Sequence, residues 1–153
     1  MTGKVFLVGA GPGDPSLITL RAVELIKKAD VVLYDRLVSK KILSMISRKA
    51  ETVYVGRAVG DDYKHQNDTN DLMVKYAKIK RNIVRLKGGD PMIFGRGGEE
   101  AEYLKKHKIR FEIVPGITSG IGSATYAGIP LTHRKFASSV VFVTGHEDFE
   151  KNK

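Results

Sequence analysis

The chain has 153 residues, no cysteine, and 26 Lys and Arg against 17 Asp and Glu, a formal charge of +9. That length suits one domain with a real core, and the missing cysteine excludes disulfides, thiol nucleophiles and thiolate metal sites, as fits a reducing cytoplasm. No apolar run nears the roughly 18 residues of a membrane span, and the start from Met1 to Val8 is too short for a signal peptide. The reading is therefore a soluble, cytoplasmic protein with no membrane partner, whose positive excess favours an acidic ligand.

Lys4 to Val8 reads as a first strand, and Gly9 to Pro15 (GAGPGDP) as its glycine loop. Leu17, Leu20, Val23 and Leu25 then alternate with charged residues at helical spacing, with Ser16 as the expected N-cap. Ala29 to Tyr34 is a second strand ending at Asp35 and Arg36. A short helix over Lys40 to Ile46, a third strand over Thr52 to Val55 and a polar loop over Gly56 to Gln66 follow. Asn67 to Lys80 is helical, and Asn82 to Leu86 is a fourth strand. It leads into Val84 to Glu100 (VRLKGGDPMIFGRGGEE), two glycine clusters flanking the apolar Met92, Ile93 and Phe94. A simple turn is usually only about 2–6 residues long, so this stretch is a ligand loop rather than a turn.

A helix from Gly98 to His107 starts with Glu99 and Glu100, which suit the positive end of its dipole. Ile109 to Val114 is a fifth strand, and Pro115 to Gly120 a third glycine loop. Next come a small-residue helix over Ser123 to Ala127, an irregular stretch from Ile129 to Arg134 and a sixth strand over Ser139 to Thr144. Strands alternating with helices predict an α/β fold, a mostly parallel sheet with helices on both faces. Ligands in such folds sit outside the carboxyl ends of strands, so the loops after strands one, four and five suggest one shared cleft. Residues 1–144 read as one domain, and 145–153 as the start of a linker.

Familiar chemistries fail on spacing. Gly9, Gly11 and Gly13 follow a strand, and Asp35 lies about 20 residues on as in a dinucleotide fold, but Asp14 stands where that fingerprint needs glycine. No glycine precedes Lys-Ser or Lys-Thr as in a P-loop, and Gly-x-Ser-x-Gly is absent. His65, His107, His133 and His146 have no paired spacing, so no metal is expected. No helix carries a continuous basic face, so the lysines read as a solvated surface and nucleic acid is not expected.

Six blocks together resemble the tetrapyrrole methylases, in the branch that acts on uroporphyrinogen: Val8 to Asp14 (VGAGPGD), Tyr34 to Val38 (YDRLV), Val84 to Pro91 (VRLKGGDP), Phe94 to Glu100 (FGRGGEE), Pro115 to Ser119 (PGITS) and Gly128 to Arg134 (GIPLTHR). The resemblance implies transfer of two methyl groups from S-adenosylmethionine to uroporphyrinogen III, giving precorrin-2 on the way to sirohaem and cobalamin. It also implies a homodimer of two-domain subunits with the cofactor between the domains. The family's cofactor contacts fall on Pro12, Gly88, Gly89, Asp90, Ile93, Thr118 and Ser119. Its catalytic positions fall on Asp35, a proton acceptor, and on Arg57, where the family has a proton-donating lysine.

Arginine stays protonated at any working pH, so Arg57 is assigned to clamping a substrate carboxylate. Arg36, Arg96 and Arg134, on or beside the loops, are further candidate clamps for a substrate with eight carboxylates. Asp35 has a plainer reading as a cap on the following turn. The family is longer than this chain, so the second domain is expected to be missing. Methylation of another tetrapyrrole or of RNA by the same fold, or a non-catalytic module, remain open alternatives.

Overall fold

The computed structural model describes residues 3–56, 64–79 and 81–145, with side chains in the middle stretch from residue 68 onward. Five strands, β1 (Lys4–Gly9), β2 (Val31–Tyr34), β3 (Glu51–Tyr54), β4 (Asn82–Lys87) and β5 (Arg110–Val114), alternate with α1 (Leu20–Lys28), α2 (Lys40–Leu43), α3 (Lys64–Lys78) and α4 (Gly97–Lys106). Every strand pair is parallel, in the order β3-β2-β4-β1-β5. The α/β expectation holds.

The apolar runs explain the layering. In β1, β2 and β4 side chains alternate between faces. Phe6, Val8, Val32, Val84 and Leu86 pack with Ala22, Leu25 and Ile26 of α1 and Ile42 of α2. Val5, Leu7, Val31, Leu33 and Ile83 pack with Met73, Val74 and Ala77 of α3 and Leu104 of α4. The chain steps through β1, β2 and β3 with helices on one face, then returns through β4 and β5 with helices on the other. The reversal falls at β4, between β2 and β1, which is the position where open α/β sheets bind ligands.

Several expectations shift. The first long helix starts at Leu20 because Thr19 caps it, accepting from the Ala22 amide at 3.2 Å. Ser16 lies instead in a 3-10 turn over Pro15–Leu17, capped by Asp14. The helix after the third glycine loop, α5 (Ser119–Tyr126), starts earlier than Ser123. The sixth strand is not formed: residues 139–144 are in no strand, and Val141 and Val143 are 79% and 80% exposed. Its β-branched run has the composition of a strand, but a strand needs a ladder partner, and none is paired with it among the described residues.

The chain divides into two compact units at Thr118 and Ser119, so the expected domain over 1–144 spans both. The first holds the sheet. In the second, the small-residue face of α5 admits an aromatic ring, since a Cβ on Gly120 would lie 2.8 Å from the Phe142 ring. His133 and Ala137 form an antiparallel bridge around a turn that carries Arg134. The expected linker over 145–153 lies outside the described residues beyond Gly145.

Two outcomes test this architecture. Leu33 is fully buried in the α3 and α4 face, so Leu33→Ala should cost about 2–5 kcal/mol, read as a lower urea midpoint at unchanged slope. At the sheet edge Glu112 accepts from Lys4 at 2.7 Å and from Arg21 at 3.0 Å, and these bonds, Lys4's first, hold its carboxyl below the ordinary 4.5. The folded value lies below the unfolded one, so the stabilisation is present above about 4.5 and lost as pH falls through the folded value. Glu112→Gln should therefore cost at most about 1 kcal/mol near neutrality, with the gap closing in acid melts.

Candidate active site

Each strand of the first unit ends in a loop at one end of the sheet; the loops after β1 and β4 are joined by backbone hydrogen bonds, and the loop after β5 packs against both. The Ala10 amide donates to the Lys87 carbonyl at 2.7 Å. Gly11 and Gly89 exchange both amide bonds, at 3.1 and 2.8 Å. Both have positive φ, 74° and 65°, a conformation that glycine adopts without penalty. A Cβ on Gly9 would lie 2.6 Å from the Gly116 amide and 2.7 Å from the Gly89 carbonyl. A side chain on Gly116 would strike the Gly89 carbonyl as well. Asp90 completes the link, its carboxylate accepting from the Met92 amide at 2.8 Å and from the Gly116 amide at 3.0 Å.

The loops after β2 and β3 join the same end. Ser39 caps α2 and donates to the Gly13 carbonyl at 2.8 Å. A Cβ on Gly88 would lie 2.6 Å from the Leu37 Cβ, and one on Gly56 2.6 Å from the Arg36 amide. Pro12, Gly88, Gly89, Asp90, Ile93 and Thr118 thus gather at the carboxyl end of one sheet, with Pro12 and Ile93 exposed and the others half-buried. The tip is apolar and strained: Met92, Ile93 and Phe94 are exposed, and Phe94 and Arg96 are held at φ of 51° and 57°. Non-glycine residues held this way concentrate at ligand sites.

Asp35 sits just past β2, half-buried. One carboxylate oxygen accepts from the Leu37 amide at 3.1 Å, so the turn-cap reading is realised, while the other faces the Arg85 guanidinium at 3.5 Å. Arg36 is exposed beside it. Arg96 precedes α4, and its guanidinium grips Glu99 through two bonds of 2.8 and 2.6 Å. Arg57 lies outside the described residues. Ser119 opens α5 and Arg134 sits in an exposed turn, both in the second unit. Among the described residues no group of three or more His, Cys, Asp or Glu could hold a metal ion, and no helix is long and apolar enough to cross a membrane.

Sequence reasoning missed a buried charge cluster. Arg85 and Lys87 point from β4 to the face under α4, where Glu100 accepts from both at 3.0 Å. Their side chains are 6%, 5% and 0% exposed for Arg85, Lys87 and Glu100. Burial, then the adjacent Arg85 charge, push the Lys87 pKa below 10.5, opposed by Glu100. The available signal was two cations spaced two apart in an apolar strand, which must share a face.

Comparisons with known proteins bear on the family and the fold. The model of the tetrapyrrole (corrin/porphyrin) methylases matches residues 4–153. A uroporphyrinogen-III C-methyltransferase of Bacillus subtilis is 56% identical over 153 aligned residues, 97% of this chain but 60% of that protein. A siroheme synthase of Pseudomonas fluorescens is 60% identical over 145 residues, 95% of this chain and 31% of its own. Among solved structures, the uroporphyrin-III C-methyltransferase of Thermus thermophilus complexed with S-adenyl homocysteine superposes at a TM-score of 0.75 with 49% identity, over 90% of this chain and 57% of that one. A cobalt precorrin-4 methyltransferase reaches 0.78 at 33% identity, over 90% and 56%. The chain thus spans about 60% of the B. subtilis relative and less of the siroheme synthase. With the family model matched from residue 4 to residue 153, the chain belongs to the tetrapyrrole methylases.

Proposed function

We propose that this chain carries the cofactor loops of an S-adenosylmethionine-dependent uroporphyrinogen-III C-methyltransferase, which makes precorrin-2 for sirohaem and cobalamin. The observation that carries the reading is the joining of the loops after β1, β4 and β5 into one glycine-lined surface, in which Gly9 and Gly116 have no room for a Cβ. Such a surface offers backbone groups to a ligand at close range, and the exposed Ile93 beside it suits a flat adenine. The 56% identity to a uroporphyrinogen methylase, against 33% to a precorrin-4 methylase, supports uroporphyrinogen III over a later tetrapyrrole. The cytoplasmic location and the homodimer implied by the resemblance belong to this proposal, as does a substrate range without nucleic acid.

S-adenosylmethionine would supply a methyl group already activated by its sulfonium. What remains for the protein is alignment of an electron-rich pyrrole carbon with that methyl group. Pro12, Gly88, Gly89, Asp90, Ile93, Thr118 and Ser119 would hold the cofactor. Methyl transfer would form the new carbon–carbon bond as the sulfur–methyl bond breaks, the electron pair staying on sulfur. Asp35 would take the proton released as the methylated ring relaxes. Arg36, Arg57, Arg96 and Arg134 would clamp acetate and propionate carboxylates, for which a planar fork is suited.

Two substitutions separate these roles. Gly116→Ala forces a Cβ against the Gly89 carbonyl, so it should weaken S-adenosylhomocysteine binding by about tenfold or more in calorimetric titration, at unchanged helical circular dichroism. Unaltered binding would contradict the cradle. Arg96→Ala should weaken uroporphyrinogen III binding by about tenfold or more, as expected for loss of a charge-assisted bond, while leaving S-adenosylhomocysteine affinity nearly intact. Equal losses for both ligands would remove Arg96 from the substrate clamp.

A further inference from the structure

β4 is the middle strand of the sheet, covered on both faces, and such strands are ordinarily apolar throughout. Here it carries Arg85 and Lys87, and both are buried with Glu100 of α4. A buried ion triad is seldom the most stable filling for a core, because apolar side chains of similar volume avoid the desolvation. Stability alone is therefore weak ground for the cluster, and its geometry suggests another use. The Arg85 Nε donates to Glu100 at 3.0 Å, Nη1 donates to the Leu86 carbonyl at 3.3 Å, and Nη2 points towards Asp35 at 3.5 Å. Three edges of one planar group are thereby directed at three different partners. Lys87, also 3.0 Å from Glu100, balances a second negative charge, so two cations face the carboxylates of Glu100 and Asp35.

We propose that Arg85 is a positioning residue for Asp35: the buried Glu100 and Lys87 fix the guanidinium, and its outer edge fixes the Asp35 carboxylate at the loop edge of the sheet. The Leu37 amide holds the other carboxylate oxygen, so the carboxylate is gripped from two sides. A lysine at position 85 would keep the charge, but its donors sit on one nitrogen and lack the fork whose separate nitrogens face Glu100 and Asp35. The inference deepens the proposed function and rests on Asp35 acting as the base there. Arg85 itself, 6% exposed, acts through Asp35 and not on the substrate.

The test is a double-mutant cycle in the intact enzyme that contains this chain, with methyl transfer from radiolabelled S-adenosylmethionine to uroporphyrinogen III as the readout. Arg85→Lys should lower kcat by about a hundredfold, the scale expected for a misplaced reacting group, with KM for uroporphyrinogen III and affinity for S-adenosylhomocysteine little changed. Asp35→Asn should lose at least as much, and adding Arg85→Lys to it should cost nothing further. Losses that multiply, or full activity in Arg85→Lys, would overturn the proposal. If the wild-type enzyme transfers no methyl group to uroporphyrinogen III, the activity reading fails, and crystal structures decide the positioning claim separately. The Asp35 carboxylate should then shift by about 1 Å in Arg85→Lys, the displacement that matters to chemistry, and an unmoved carboxylate overturns it. Should that variant not fold, Glu100→Gln takes its place in the crystallographic comparison, with the same expected shift and the same contrary result.

Discussion

The close approach of Gly9, Gly89 and Gly116 at the carboxyl ends of β1, β4 and β5 is the constraint on which the rest of the first unit depends. Parallel strands pair about 4.8 Å apart, so loops leaving adjacent strands have room for backbone but little else if they are to stay in contact. Here the paired amides of Gly11 and Gly89, and the Asp90 carboxylate on the Gly116 amide, hold three loops as one piece. Any Cβ at Gly9 or Gly116 enters a neighbour's backbone, which cannot rotate away as a side chain can. The surface that results is made of main-chain groups, which keep fixed positions and offer both donors and acceptors.

Below that surface the sheet supplies rigidity and charge. The apolar clusters on its two faces lock β1, β2 and β4 against four helices. At the loop end the α4 face changes from Leu33 and Ile83 to Arg85, Lys87 and Glu100. In a low-dielectric interior such charges interact strongly with one another, so they hold defined positions where solvated side chains would wander. The ion pairs on the outside are of another kind. Lys28 with Glu24 is exposed, and pairs like it contribute little. The +9 charge is thus spread between a solvated surface and arginines near the loops.

The parallel sheet was legible because runs such as Val5 to Val8 and Val31 to Leu33 are apolar on both faces, and because glycine loops follow three strands. Strand order was not, since the insertion of β4 between β2 and β1 depends on contacts far apart in sequence. Val140 to Val143 misled because composition reports what a strand prefers, not whether a partner is present. The start of α1 shifted because Thr19 and Ser16 are both good caps and only the path of the chain chooses between them. At the site, Asp35 and the loop residues of the first unit were named through the family resemblance, and they lie on the loops at the carboxyl end of the sheet. Arg85, Lys87 and Glu100 were missed because Glu100 was read as a helix-dipole partner, and nothing local in the sequence shows that it meets the two cations of β4 in the core.

The central claim is that the joined glycine loops are the face that meets the cofactor, and amide chemical-shift mapping tests it directly. On titration of the isotope-labelled protein with S-adenosylhomocysteine, the largest shifts should fall on the amides of Gly11, Gly88, Gly89 and Thr118, with Lys4, Lys108 and Arg110 at the opposite end of the sheet unmoved. Shifts concentrated on that opposite end, with the glycine amides silent at saturating ligand, would contradict the account.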